Sequence, residues 1–145
     1  MQHSRGEIVA IARTWIGTPY HHQASVPAAG CDCLGLVRGV YRALYGREAE
    51  LPPPYSRDWA EAAGEETMLA AARRHLVEIG IGEARPGDVV IFRIHRAAMA
   101  KHAAILATPA SMLHATETAR VSEVPLSDWW RRRMAGAFAF PTVVD

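Results

Sequence analysis

Cys33 is the residue of this chain best suited to covalent chemistry. It follows Asp32 within Gly30-Cys31-Asp32-Cys33-Leu34-Gly35-Leu36-Val37, where helical periodicity begins. A thiol at a helix N-terminus faces unpaired N–H groups and the positive end of the helix dipole. That setting favours thiolate, the form that attacks carbonyls and binds metals. The expectation is a nucleophile of lowered pKa, and such a nucleophile needs a base. Seven histidines are available. His3 near a terminus, His21, His22 and His95 in loops, and His75 in a helix's last turn read as surface residues. His102 and His114 differ, because they fall in two β-type runs that form a hairpin broken at Pro109. Side chains of an antiparallel pair share a face only when the register parity matches. A three-residue connection, Thr108-Pro109-Ala110, sets Ala107 opposite Ser111 and puts both imidazoles on one face. They are then diagonal neighbours, about 7–8 Å apart. A strict two-residue turn would separate them.

Brought together, these groups divide the work of acyl transfer. Cys33 attacks a carbonyl, with its backbone N–H placed to donate to the oxyanion. His102 takes the thiol proton and later protonates the leaving amine. His114 bonds the other nitrogen of His102 and fixes its tautomer. A second reading makes Cys31, Cys33, His102 and His114 the four ligands of a structural zinc. Against it, C-x-C is tighter than the usual gap of roughly two to four residues.

The elements that must hold these groups follow from local signals. Ser4-Arg5-Gly6-Glu7 has capping-box spacing, and Ile8, Ile11, Ala12 and Trp15 line one face of a first helix stopped by Gly17 and Pro19. Asp32 is the N-cap of a second helix, with Leu34, Val37, Tyr41 and Leu44 on one face and Gly46 at its end. Gly35, Gly39 and Ala43 form a smooth strip on it. Glycine costs about 1 kcal/mol in a helix interior relative to alanine, so the strip predicts close approach by another element, most simply a β-sheet. Pro52-Pro53-Pro54 starts an irregular connection, and Glu65 and Glu66 open a third helix through Met68, Leu69, Ala72 and Leu76. From Arg85 onward the texture is β: a Pro86-Gly87-Asp88 turn, then runs at 89–94, 103–108, 111–116, 120–124 and 134–140. Ser127 caps a short helix carrying Trp129 and Trp130, read as packing residues. Helices first and strands afterwards describe an α+β domain.

Composition narrows the functional classes. The 145 residues read as one domain over 1–145, half apolar and 21% charged, with a formal charge of +1. That charge argues against a nucleic-acid binder held by phosphate contacts, and Arg131-Arg132-Arg133 reads as complementing a helix dipole. Two cysteines one residue apart build no disulfide framework. No stretch approaches the roughly 18–20 apolar residues of a membrane span. The N-terminus, with Arg5, Glu7 and Arg13, reads as an amphipathic helix and not a signal peptide. The expectation is synthesis in the cytoplasm.

Asp32-Cys33-Leu34-Gly35-Leu36-Val37, followed by His102-Ala103-Ala104-Ile105-Leu106 and Met112-Leu113-His114-Ala115, resembles the NlpC-type, papain-like cell-wall cysteine peptidase family. Arg85-Pro86-Gly87-Asp88-Val89-Val90-Ile91-Phe92 is similar to that family's "PGD" turn into a strand. Gly17-Thr18-Pro19-Tyr20 is similar to the segment bearing its active-site tyrosine. The resemblance implies a papain-like α+β domain, its nucleophile helix packed on a C-terminal antiparallel sheet. It implies hydrolysis of amide bonds in peptidoglycan stem peptides, often the γ-D-glutamyl–diaminopimelate bond. Cys33 is then the nucleophile, His102 the base and His114 the orienting third residue, with Tyr20 and Asp32 at the substrate or near the oxyanion. No metal or other cofactor is expected. Three departures bear on substrate preference: Leu34 in place of the usual serine, Cys31 in place of an aromatic, and His21-His22-Gln23 in place of a glycine pair.

The compact form, with Leu126-Ser127-Asp128-Trp129-Trp130-Arg131-Arg132-Arg133 near the end, is similar to the peptidases of phage tails and gene-transfer-agent particles. That version implies docking to a tail baseplate or hub protein and action on the cell wall in the periplasm, with the particle delivering the enzyme. Two alternatives stay open: a structural tail-hub component of the same fold without activity, and acyl transfer in place of hydrolysis.

Overall fold

The computed structural model describes residues 2–50 and 66–145, so Pro52-Pro53-Pro54 and Glu65 lie outside the described residues. Strand β1 (His3–Ser4) leads into helix α1 (Arg5–Arg13), where the Ser4 hydroxyl accepts the Glu7 N–H at 3.0 Å, as the capping-box spacing predicts. A short antiparallel pair, β2 (Ser25–Val26) and β3 (Gly30–Cys31), precedes helix α2 (Cys33–Tyr45). Asp32 caps α2, and Gly46 ends it in the left-handed region at φ 73°. Helix α3 (Thr67–His75) follows. The strands are β4 (Val77–Ile79), β5 (Val89–Phe92), β6 (His102–Thr108), β7 (Ser111–Thr116) and β8 (Ala119–Pro125). A short helix α4 (Asp128–Arg131), β9 (Met134–Ala139) and β10 (Val143–Val144) complete the described elements.

Six strands form one antiparallel sheet in the order β4-β9-β5-β6-β7-β8. Strand period two divides its side chains between two cores. Val89, Ile91, Ala103, Ile105 and Leu113 pack under the helices with Ile8, Leu36 and Val40. Val90, Phe92, Ala104, Leu106 and Met112 pack on the other face with Leu126 and Trp130. β4 and the short pairs carry too few residues to show alternation, which is why the pattern of the sequence misses them.

The hairpin reaches the predicted register by a different route. Thr108 pairs with Ser111 across a two-residue turn, Pro109-Ala110, tightened by the Thr108–Ser111 hydroxyl bond at 2.7 Å. A bulge between Leu106 and Thr108 then restores Leu106↔Met112 and Ile105↔Leu113. The extra residue of the bulge undoes the parity change of the tight turn. His102 and His114 therefore keep one face.

The glycine strip does not meet the sheet. A Cβ on Gly39 would stand 2.0 Å from the Trp15 ring, and one on Gly35 would stand 1.9 Å from the Ala24 carbonyl oxygen. The sheet lies under the larger side chains of α2, whereas the strip admits a flat indole and a loop backbone. His3 also departs from expectation: pairing of β1 with β10 leaves it 5% exposed, its Nδ1 3.3 Å from Glu7. Arg5 locks the same end of the molecule, donating to Asp88 at 2.8 Å, to the Pro86 carbonyl at 3.1 Å and to Asp145 at 3.1 Å. Asp88 is fully buried and also accepts the Arg85 N–H at 2.9 Å, which fixes the turn leading into β5.

Candidate active site

The N-terminus of α2 is built around Asp32. One carboxylate oxygen accepts the Gly35 N–H at 2.7 Å and the other accepts the Gln23 N–H at 2.8 Å, while the Asp32 N–H donates to the Ala24 carbonyl at 3.2 Å. Gln23 adopts a positive φ of 66°, a costly conformation that this bond helps to hold. Asp32 thus clamps the 20–31 loop onto the helix start. Both oxygens accept backbone N–H groups, a holding role at the helix start alongside the substrate or oxyanion contact expected from the sequence. Tyr20 is bridged to Cys31 and half-buried against the core, in the wall beside the helix start.

His102 and His114 meet as their parity predicts: His102 Nε2 lies 2.9 Å from His114 Nδ1. The Nδ1 of His102 remains as the nitrogen able to take a proton. The imidazoles occupy the face of Trp130, and Cys33 comes from the helix-covered face; both converge on the first residues of β6, at the end of the sheet. The Cys33 thiol donates to the Lys101 carbonyl at 3.7 Å, immediately before His102, and not to the imidazole. Catalytic hydrogen bonds are often loose without substrate and tighten on binding.

The electrostatics reverse the expectation of a lowered thiol pKa. Burial, then the Asp32 carboxylate, pushes the Cys33 thiol up to about 12, outweighing the backbone N–H groups of Ala103 and Leu34 that favour thiolate. Burial, with His114 adding to it, brings His102 down to about 3, and burial also lowers His114. Both groups are therefore neutral near pH 7, the thiol holding its proton and His102 uncharged. A measurable consequence concerns alkylation by iodoacetamide, whose rate follows the thiolate fraction. It should rise about tenfold per pH unit from pH 7 to 9. A rate flat across that range would mean that His102 already holds the proton. Labelling should fall on Cys33, because Cys31 is fully buried.

Aromatic rings complete the site, and sequence reasoning passed over them. Trp130 stacks on His102 with centroids 5.3 Å apart, and Phe92 stands opposite His102 in the β5–β6 register. Trp130 lies in a four-residue helix, where no periodicity marks a ring that reaches the histidines. The zinc reading needs converging ligands. Among the described residues no three His, Cys, Asp or Glu side chains are grouped to hold an ion, and His102 and His114 turn a ring nitrogen on each other.

The family model described as the NlpC/P60 family matches residues 17–139. The chain belongs to the NlpC/P60 family. Its papain-like fold, mixed helix and antiparallel sheet, is the one expected from the sequence. The family comprises cysteine hydrolases that act on peptidoglycan. The gamma-DL-glutamyl hydrolase of Bacillus subtilis (strain 168) is 31% identical over 134 residues, which is 92% of this chain and 29% of that protein. The chain therefore spans less than a third of the length of this relative. The NlpC/p60 domain of the peptidoglycan hydrolase SagA superposes with a TM-score of 0.65 at 23% identity, covering 94% of this chain and 98% of that one. An NlpC/P60 family protein from Bacillus cereus ATCC 10987 gives a TM-score of 0.68 at 18% identity, covering 97% and 41%. At these identities the structures speak for the fold alone.

Proposed function

We propose that this NlpC/P60 protein is a cysteine peptidase that hydrolyses an amide bond in peptidoglycan stem peptides, the γ-D-glutamyl–diaminopimelate bond in particular. The observation that carries the reading is the 2.9 Å His102–His114 pair at the start of β6, with the Cys33 thiol against the backbone beside it. The 31% identity to a gamma-DL-glutamyl hydrolase favours a γ-glutamyl bond.

In this reading Cys33 Sγ forms a bond to the scissile carbonyl carbon as the thiol proton passes to His102 Nδ1. The oxyanion is met by the Cys33 backbone N–H at the start of α2, ahead of the Gly35 N–H that the Asp32 carboxylate caps. Collapse breaks the C–N bond, and the leaving amine takes the proton from His102. Water then attacks the thioester, gives a proton to His102, and the thiol and a carboxylic acid are released as that proton returns to sulfur. His114 accepts the His102 Nε2–H throughout, so the imidazole always presents Nδ1 forward. Tyr20 contacts the substrate from the loop wall, and Asp32 acts by holding that wall.

The same reading takes residues 1–145 as one catalytic domain. It places the enzyme in a phage-like or gene-transfer-agent tail, docked to a baseplate or hub protein and acting on the wall in the periplasm. The similarity of residues 126–133 to tail-borne peptidases supports this setting. The test is mass spectrometry of muropeptides after digestion of purified sacculi, with Cys33→Ala as control. Disaccharide dipeptides ending in D-glutamate should accumulate with the wild type alone. Identical products from both proteins, or cleavage between sugar and peptide, would reject the reading.

A further inference from the structure

His102 lies within an aromatic enclosure that its bond to His114 does not require. Trp130 stacks on it with planes 28° apart and turns edge-on to His114 at 5.4 Å. Phe92 closes a further side, 5.9 Å from His102 and 4.9 Å from Trp130. The indole is itself held in place. Trp129 backs it at 4.8 Å, and the Arg133 guanidinium lies 3.7 Å from the centre of the Trp129 ring. Arg131 fastens α4 to the β6–β7 turn by donating to the Pro109 carbonyl at 3.1 Å. A chain segment 28 positions beyond His102 is thus anchored so as to lay one ring on its imidazole.

We infer that Trp130 is a positioning residue whose indole fixes the plane of the His102 ring and shields the His102–His114 hydrogen bond from water. This rests on His102 being the base. Stacking removes the freedom of the imidazole to turn, and a hydrogen bond kept from water is electrostatically stronger. Once His102 has taken the thiol proton, the indole face lies against a cation, a favourable contact. Among the described residues His114 of β7 is the titratable group hydrogen-bonded to His102, and the Cys33 thiol of α2 lies against the Lys101 carbonyl one residue before it; Trp130 and Phe92 bring no charge. Because Nδ1 must be free to receive the proton, the neutral ring carries its hydrogen on Nε2 and donates it to His114.

That hydrogen is the observable. In protein with ¹⁵N-labelled histidine rings, the wild type should show a His102 Nε2–H signal at pH 7 that exchanges slowly with water. Trp130→Leu should lose it and Trp130→Phe should keep it. On the muropeptide the wild type cleaves, Trp130→Leu should lower kcat about 10- to 100-fold with KM within about twofold, and Trp130→Phe should recover most of the loss. Absence of a slowly exchanging ring proton in the wild type overturns the inference and needs no variant. So does Trp130→Leu turning over at the wild-type rate. If the leucine variant does not fold, the wild-type signal and the phenylalanine variant decide. Failure of the base assignment is distinguishable: His102→Ala would then keep its turnover, whereas the ring-proton measurement requires no activity.

Discussion

Cys33→Ala is expected to lower kcat/KM on muropeptide substrates by about 10³- to 10⁶-fold, and His102→Ala by a similar factor. The two belong to one proton-transfer event, so the double variant should be scarcely slower than either single one. That non-additivity separates a working pair from two independent contributors. His114→Ala should cost less, because it removes orientation and not the base, and His114→Asn, which keeps an acceptor near His102 Nε2, should recover part of it. Stopped assays on a fixed muropeptide, with circular dichroism to confirm folding, measure all five. Cys33 has a small side chain at a helix start, and its truncation removes a single sulfur atom, so the melting temperature should stay close to the wild type. Undiminished turnover in Cys33→Ala would place the chemistry elsewhere.

The largest stability effect is expected at Arg5, far from the site in sequence. Arg5→Ala strips a fully buried carboxylate, Asp88, of its cation and leaves the Pro86 carbonyl short of a donor. Removing one partner of a buried pair costs about 3–5 kcal/mol. At this chain length that lowers the melting temperature by about 10 °C. Adding Asp88→Asn should return part of the loss, since an unpaired charge is then no longer buried. Asp145→Asn, which touches the exposed end of the same network, should change little, as exposed ion pairs do. A melting temperature of Arg5→Ala within 2 °C of the wild type, within about 1 kcal/mol on the same scale, would show that water solvates Asp88 when Arg5 is gone. The site depends on this lock indirectly. Asp88 fixes the turn into β5, and β5 pairs with the start of β6 through Phe92↔His102.

Much of this arrangement was legible in the residues themselves wherever the governing interaction is local. Ser4 with Glu7, and Asp32 with Gly46, mark helix ends because caps act within one turn. The shared face of His102 and His114 followed from parity, and it survived a wrong turn length only because a bulge at the hairpin corrected the register. The family pattern added roles that spacing alone could not assign. What local rules could not supply was the identity of partners distant in the chain. The gaps at Gly35 and Gly39 announced a close approach, yet nothing in them distinguished a sheet from Trp15 and the Ala24 carbonyl. Trp130 reads as a packing residue until the chain brings α4 onto β6.

The protonation state of the pair belongs wholly to the folded molecule. A helix N-terminus argues for thiolate, and this argument is correct for the backbone groups it counts. Burial and the neighbouring Asp32 oppose it and prevail, and both depend on how much water the assembled chain excludes. Order along the chain thus determined which elements form and which residues can share a face. The tertiary structure alone decided what covers each face, because desolvation and ring stacking arise between segments that no short-range signal connects.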